Sequence, residues 1–482
     1  MTNRLRVIFL LPIYLGIRIF SFHFQPTTPL NLNPHLLNTV LAMLIIFITV
    51  ALLIKKNILG WYIIAAEMIL DGSGSFLQIS GVTLRSFLLL TSLSIYFLQN
   101  LKNVHKFEKN KIIIGEMLII AVLGLSRGWY FSNPHSVAIS DVVPYLFLLY
   151  YFPLRELLKD DAWRRFCYSA LQATILGEAS LILFTYIGLT SGHFQLQDAF
   201  YHWFRDIANG KITLVEFNFY RLVLNEQLLL VPLLLYFIYN AIHKKQKYLY
   251  VIMLLFLLSL NLTRIYLIAL VIGILILFTR KNWKRWLSIS VGSLAVFLVI
   301  YSTLFLISSK GKSFGMEVFG IRIQSIMTPS LEESSLSRTL LLPKILDQII
   351  EHPFIGRGFG STISVFSPIE NKTIATTNYD WGYLEILVEL GIIGFSVWVI
   401  FLYNIAIKLK KLPRSQLAVF ISLLIINITS PAVFHVFGLT LLALLFALGS
   451  NASSGSPVAL SHTPEQLESS TEADKKNSAA NY

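Results

Sequence analysis

The chain has 482 residues, of which 55% are hydrophobic and only 13% charged, with a mean hydropathy of +0.66. So few charges cannot solvate a water-facing surface, which excludes a soluble globular enzyme. The 39 Lys and Arg outnumber the 26 Asp and Glu to give a net charge of +13; roughly 25 of those cations fall in termini and loops on one predicted side of a membrane, so topology explains the excess and no nucleic-acid partner is implied.

In chain order, about fourteen apolar stretches have spanning or near-spanning length. They run from Leu5 to Phe22, Leu36 to Ile54, Ile58 to Leu70, Val82 to Leu101, Ile112 to Leu125, Val137 to Phe152 and Phe166 to Leu189. The later ones cover Tyr220 to Ile242, Tyr248 to Leu262, Ile265 to Phe278, Trp286 to Ile307, Gly382 to Ile407, Gln416 to Ile428 and Val433 to Leu448. Lys55-Lys56, Lys102 to Lys111, Arg155 to Arg165, Lys244 to Lys247, Arg280 to Arg285 and Lys408 to Arg414 occupy every second gap. That alternation orients the chain by the positive-inside rule. The expected fold is all-α: a polytopic protein of the bacterial inner membrane with about 12–14 transmembrane helices, both termini in the cytoplasm and a large periplasmic loop. The first run lacks a small-residue cleavage site, so no processed signal peptide is expected. The lone Cys167 offers neither an intrachain disulfide nor a metal cluster, and no internal repeat relates the two halves.

Three regions follow: N-terminal transmembrane helices over 1–219, a core over 220–449 with the periplasmic loop 308–380, and a polar tail over 450–482 that reads as a disordered cytoplasmic extension. Within the loop, Leu340, Leu341, Ile345, Leu346, Ile349 and Ile350 recur at helical spacing, which predicts an amphipathic helix on the outer membrane face. It ends at His352-Pro353, and Gly356, Gly358 and Gly360 then permit a tight turn. A plain surface helix and loop would carry the same pattern.

From Glu351 the sequence EHPFIGRGFGS, followed from Tyr383 by YLEILVELGIIGF, resembles the signature of the O-antigen ligase and polymerase (Wzy-like) superfamily of bacterial glycan-joining membrane enzymes. Thr263-Arg264 is similar to the family's Ser-Arg step, Tyr220-Arg221 with Asn225-Glu226 to its Arg and Asn element, and Ser337-Arg338 to the Arg that opens its loop helix. The motifs cover about Tyr220 to Leu402. One departure matters: where many ligases of the family place a His-Asn pair before the Tyr-Leu step, Asp380-Trp381 stands here before Gly382-Tyr383.

The resemblance implies a GT-C-like membrane glycosyltransferase whose donor and acceptor are glycans on undecaprenyl pyrophosphate, working without a metal or other cofactor, beside a flippase or chain-length regulator. Such a donor carries its own leaving group, so the protein must stabilise negative charge on the departing pyrophosphate and position an acceptor hydroxyl. Guanidinium suits the first task, each charge-assisted contact contributing about 1.5–3 kcal/mol. Arg221, Arg264 and Arg338 fall on the predicted outer side, outside the basic clusters that topology demands. Arg264 sits in a turn so short that it must lie near the membrane boundary, where snorkelling to lipid phosphates is the alternative. Asp380 reads as a base or positioner for the acceptor hydroxyl, or as an N-cap of the following helix. With Arg264 and Arg338 it forms the candidate catalytic set, while Arg221, Asn225, His352, Gly356, Gly358 and Tyr383 are candidate substrate contacts.

Other polar residues have plainer readings. Glu67, Glu116 and Glu178 lie inside apolar runs, where a carboxylate must pair or face water; pairing is expected. His352 suits a structural turn, and Tyr201, Trp203 and Phe204 an interfacial anchor. The expected activity is polymerisation of polysaccharide repeat units on the periplasmic face. A ligase delivering finished glycan to lipid A core or protein is the alternative within the class, and a transporter or flippase the alternative outside it.

Overall fold

The computed structural model describes residues 3–23, 34–71, 74, 76–79, 82–100, 109–244, 248–328, 333–367, 372–377 and 379–453. The protein is an all-α polytopic membrane protein: among the described residues nine helices are long and apolar enough to cross a bilayer, and five shorter apolar helices accompany them. Leu- and Ile-rich segments adopt helix because hydrocarbon offers no partner to an exposed peptide group. The first half comprises α1 (Asn3–His23), α2 (Pro34–Ile54), α3 (Leu59–Leu70), α4 (Leu84–Gln99), α5 (Lys109–Tyr130), α6 (His135–Leu146), α7 (Tyr151–Leu157), α8 (Asp161–Thr190) and the short α9 (Ala199–His202). Then come α10 (Leu230–Lys244), α11 (Tyr248–Asn261), α12 (Arg264–Ile276), α13 (Trp283–Ser308), α14 (Met316–Met327), α15 (Glu333–Glu351), α16 (Gly382–Leu409), α17 (Arg414–Ile426) and α18 (Val436–Ser453). Three two-stranded antiparallel hairpins decorate one end: β1 (Gln78–Ile79) with β2 (Val82–Thr83), β3 (Lys211–Leu214) with β4 (Tyr220–Val223), and β5 (Ile363–Ser367) with β6 (Lys372–Thr376). We call this the loop end and the opposite one the basic end.

Polarity is distributed as lipid requires. Phe9, Phe47, Leu90 and Val299 point outward, while Arg18, Gln172 and Glu389 are buried. The longest helix, α8, begins where Asp160 accepts hydrogen bonds from the amides of Ala162 and Trp163 at 2.7 and 2.9 Å. Its 30 residues rise about 45 Å, well beyond the roughly 30 Å apolar thickness.

The short helices set the level of everything that follows. α11 and α12 leave and return to the basic end through 14 and 13 residues, a rise of about 20 Å each. The turn between them therefore stops short of the far side of the apolar layer, and α17, with 13 residues, does the same. These turns recess the loop end into a crevice. Non-helical backbone at that depth is tolerated only where protein covers it or water fills the space beside it.

Several expectations shift. The run from Tyr220 is a strand and a 3-10 turn before it becomes α10, so Arg221 lies in a hairpin rather than a span. The loop helix starts earlier, at Glu333, and a second helix, α14, precedes it. Polar residues 450–453 continue α18, so helix overrides their composition; the rest of the predicted tail, 454–482, lies outside the described residues. Contacts such as Arg18 with Glu226 cross the expected 219/220 boundary.

Candidate functional site: an arginine-lined crevice at the loop end

The crevice floor is built on the α11–α12 turn. Leu262 there has φ +46°, a left-handed conformation costing a branched side chain about 1–2 kcal/mol. That strain turns the chain within two residues. Arg221 from β4 reaches across it, its Nε donating to the Asn261 carbonyl at 2.6 Å and its Nη2 to Thr263 Oγ1 at 2.8 Å. Asn261 is fixed from behind, donating to Gln227 Oε1 at 2.5 Å. Arg264 opens α12, and its Nη1 donates to Ser325 Oγ at 2.6 Å. Ser325 belongs to α14, which turns Val318, Ser325 and Arg322 toward the protein and leaves Met316, Ile321 and Ile323 exposed. The helix thus covers the turn with an apolar back and an arginine-bearing underside. Arg221 and Arg264 are brought together as expected. Arg322, one turn before Ser325 on the same helix, is half-buried, and its helical context was not legible in the loop sequence.

Beside the same floor, the Asn225 side-chain amide lies 3.0 Å from His435 Nε2. His435 stacks on Phe437, and burial, with Arg85 adding, pushes its pKa down to about 4. Sequence reasoning missed it by counting it within an apolar run; its place after Pro431, before α18 begins, was the available signal.

A second group forms where α15 meets the start of α16. Ile345, Ile363, Tyr379 and Val388 pack as a small core, with Leu341 and Ile349 against it. The helix predicted to lie on the membrane therefore gives that stripe to protein and keeps Leu346 and Ile350 exposed. On this platform Arg338 Nε stands 3.8 Å from Asp380 Oδ2, with 26% and 35% of the two side chains exposed to solvent. Trp381, not Asp380, occupies the N-cap position of α16. Asp380, at φ +54°, lies one residue outside it and points to Arg338, so the pairing replaces the capping expected of it. Burial pushes the Tyr379 phenol well above its ordinary value, and its hydroxyl donates to the Ser361 carbonyl at 2.9 Å.

The glycine turn has an architectural task. At Gly391 (φ +64°) α16 is interrupted, which frees the Val388 and Glu389 carbonyls and the Ile392 and Ile393 amides from their helical partners. The segment 353–358 takes all four. Arg357 and Gly358 donate to Val388 and Glu389 at 2.7 and 2.9 Å, while Ile392 and Ile393 donate to Pro353 and Phe354 at 2.9 and 3.1 Å. Asn133 Nδ2 donates to the Phe359 carbonyl at 2.8 Å, and the Gly360 amide donates to Asp141 Oδ2 at 2.9 Å. A Cβ on Gly356 would meet the Glu389 carbonyl carbon at 2.4 Å, and one on Gly358 the Gly128 nitrogen at 2.1 Å. Protein backbone covers both glycines, which assigns them to this seam rather than to substrate contact. His352 packs its ring on Phe131 at 4.8 Å, and Tyr383 donates its hydroxyl to the Leu424 carbonyl at 2.8 Å; both are anchors here. Residues 249–399 match the family model described as O-antigen ligase (Wzy_C).

Over that span the chain is similar to the O-antigen ligase family. No curated protein and no solved structure matches it. The matched span is about a third of the chain, and it holds α11 through the kink of α16: the recessed turn, α14, the Arg338–Asp380 pair and the glycine seam. Parts outside the span complete this architecture. α5, the turn after it and α6 supply Gly128, Asn133 and Asp141 to the seam. β4 supplies Arg221, and the 3-10 turn before α10 the Asn225 contact.

Beneath the floor lie buried ion pairs. Arg18 Nη2 meets Glu226 Oε1 at 3.1 Å and Arg85 Nε meets Glu67 Oε1 at 3.1 Å, all four side chains nearly inaccessible. The expected pairing of Glu67 is present. Glu178 is buried with no hydrogen-bond partner at Oε1, and Glu116 is half-buried. Chemically, the loop end thus presents a recessed floor with the Arg221 and Arg264 guanidinium groups and, where α15 meets α16, a solvent-accessible carboxylate 3.8 Å from Arg338.

Proposed function

We propose that this protein polymerises undecaprenyl-pyrophosphate-linked polysaccharide repeat units at the periplasmic face of the bacterial inner membrane, with both termini in the cytoplasm. The observation that carries the reading is the recessed floor with Arg221 and Arg264. A diphosphate held at that depth leaves a poorly hydrated place, where charge-assisted hydrogen bonds contribute most. In the reaction the acceptor sugar hydroxyl attacks the anomeric carbon of the donor. A new glycosidic C–O bond forms, the bond to the diphosphate breaks, and its electron pair leaves on the carrier. Asp380 takes the hydroxyl proton, while Arg338 fixes the carboxylate. The donor supplies its own activation, so neither nucleotide nor redox cofactor enters the step.

The description of the matched family favours a second reading, transfer of a finished glycan to lipid A core or protein. Polymerisation is preferred because Asp380-Trp381 stands where many ligases carry His-Asn. Surface glycans from a deletion strain separate the two: single repeats attached to the acceptor support polymerisation, and full-length chains stranded on the carrier lipid support ligation. Normal glycans in that strain would refute both.

A further inference from the structure

Below the crevice floor is a half-open cavity of about 320 Å³ lined by α3, α7, α8, α10, α17 and α18. Trp61, Ala65, Tyr168, Leu233, Val419 and Leu441 are characteristic of its wall, whose residues are buried or half-buried. Along α18 it runs from Phe437 to Leu448, about 16 Å of helix rise, or half the apolar thickness. Charge enters the lining only through Arg164, beside Gln416 near the basic end. The wall is overwhelmingly apolar, with polar atoms such as Tyr150 Oη, Trp163 Nε1 and Thr440 Oγ1 set singly in it, whereas ordered water needs two to four polar partners at each position. Protein interiors are close-packed, so an apolar space of this size forfeits dispersion contacts unless a hydrocarbon fills it.

The upper end identifies which hydrocarbon. Leu229 and Phe437 close it, and they stand two residues from Gln227 and His435. Gln227 holds Asn261, whose carbonyl holds Arg221. The chamber therefore ends directly under the arginine floor. A phospholipid keeps its phosphate at the membrane surface, whereas here the cationic groups are recessed to the level of the chamber. We propose that the chamber holds a segment of the polyisoprenoid tail of the lipid-linked glycan whose diphosphate lies on Arg221 and Arg264; this rests on the function proposed above.

The test uses the full-length protein in nanodiscs and a sugar-free polyprenyl diphosphate carrying a diazirine in its tail. Photolysis is expected to label peptides from α10 and α18. Labelling confined to outward-facing helices such as α2 and α13, or equal labelling by a diazirine phospholipid, would overturn the proposal. In a second arm, Ala65→Phe and Leu441→Trp fill the chamber, with Leu294→Trp on the exposed face of α13 as control. Filling should abolish the labelling of α18 at least tenfold while the control retains it, with melting temperatures close to wild type. Undiminished labelling in both well-folded filled variants would also overturn the proposal. Labelling of α10 and α18 in a protein that turns over no lipid-linked glycan would keep the chamber and remove the function.

Discussion

Replacing Gly358 with alanine tests whether the glycine turn is a structural seam. The new methyl would stand 2.1 Å from the Gly128 backbone nitrogen and 2.6 Å from the Arg127 carbonyl carbon. Backbone cannot rotate aside as a flexible side chain would, so overpacking costs about 1–3 kcal/mol. Alanine at φ +85° adds about 1–2 kcal/mol of left-handed strain. The expected destabilisation is thus roughly 2–5 kcal/mol, enough to open α5 from α16. Thermal unfolding of purified protein in detergent, followed by tryptophan fluorescence, should show a midpoint several degrees lower. Gly292→Ala on α13 is the matched control: a Cβ there meets nothing within 4 Å, and alanine in a helix interior is favoured over glycine by up to about 1 kcal/mol. An unchanged midpoint for Gly358→Ala, or equal losses for both variants, would refute the seam.

Two further outcomes follow from the buried polar groups. Glu226→Ala leaves Arg18 buried without its carboxylate and should destabilise by about 3–5 kcal/mol, whereas replacing both partners with methionine should recover most of the loss; failure of the double variant to recover would show that the pair has a role beyond mutual neutralisation. His435 has its folded pKa depressed to about 4 from 6.5, so the unfolded chain binds the extra proton first as pH falls. Its stabilising contribution is complete above about pH 6.5 and lost progressively toward pH 4. On that basis the wild-type midpoint should fall more steeply over this window than that of His435→Asn, and parallel pH profiles would count against the buried neutral imidazole.

How much of this was legible in the chain depended on the range of the interactions. Spanning helices follow from uninterrupted apolar runs, because lipid enforces local hydrogen bonding, and the alternation of basic gaps orders them. Arg221 and Arg264 stood out since topology gave no reason for a cation at those places, and the fold brings them to one turn. What stayed hidden is non-local. Gly391 looks like any glycine in an apolar helix until residues 353–358 arrive to take its neighbours' hydrogen bonds. Asp141 and Asn133 serve a turn more than 200 positions away, a relation no periodicity carries. Arg322 reads as a loop charge, since only the packing of Val318 and Ser325 reveals which side of α14 it occupies. Asp380 before an apolar run reads equally as a base or as an N-cap; in the fold Trp381 takes the cap position, and the Asp380 carboxylate lies 3.8 Å from Arg338, a partner more than 40 positions away.

The most direct measurement is the affinity of purified protein for undecaprenyl diphosphate, the leaving product, in wild type and in Arg264→Ala, read by microscale thermophoresis in matched nanodiscs. Loss of one charge-assisted contact of about 1.5–3 kcal/mol weakens binding roughly 10- to 150-fold. The account expects a loss in that range at an unchanged melting temperature. Equal affinity in a stably folded variant would contradict it.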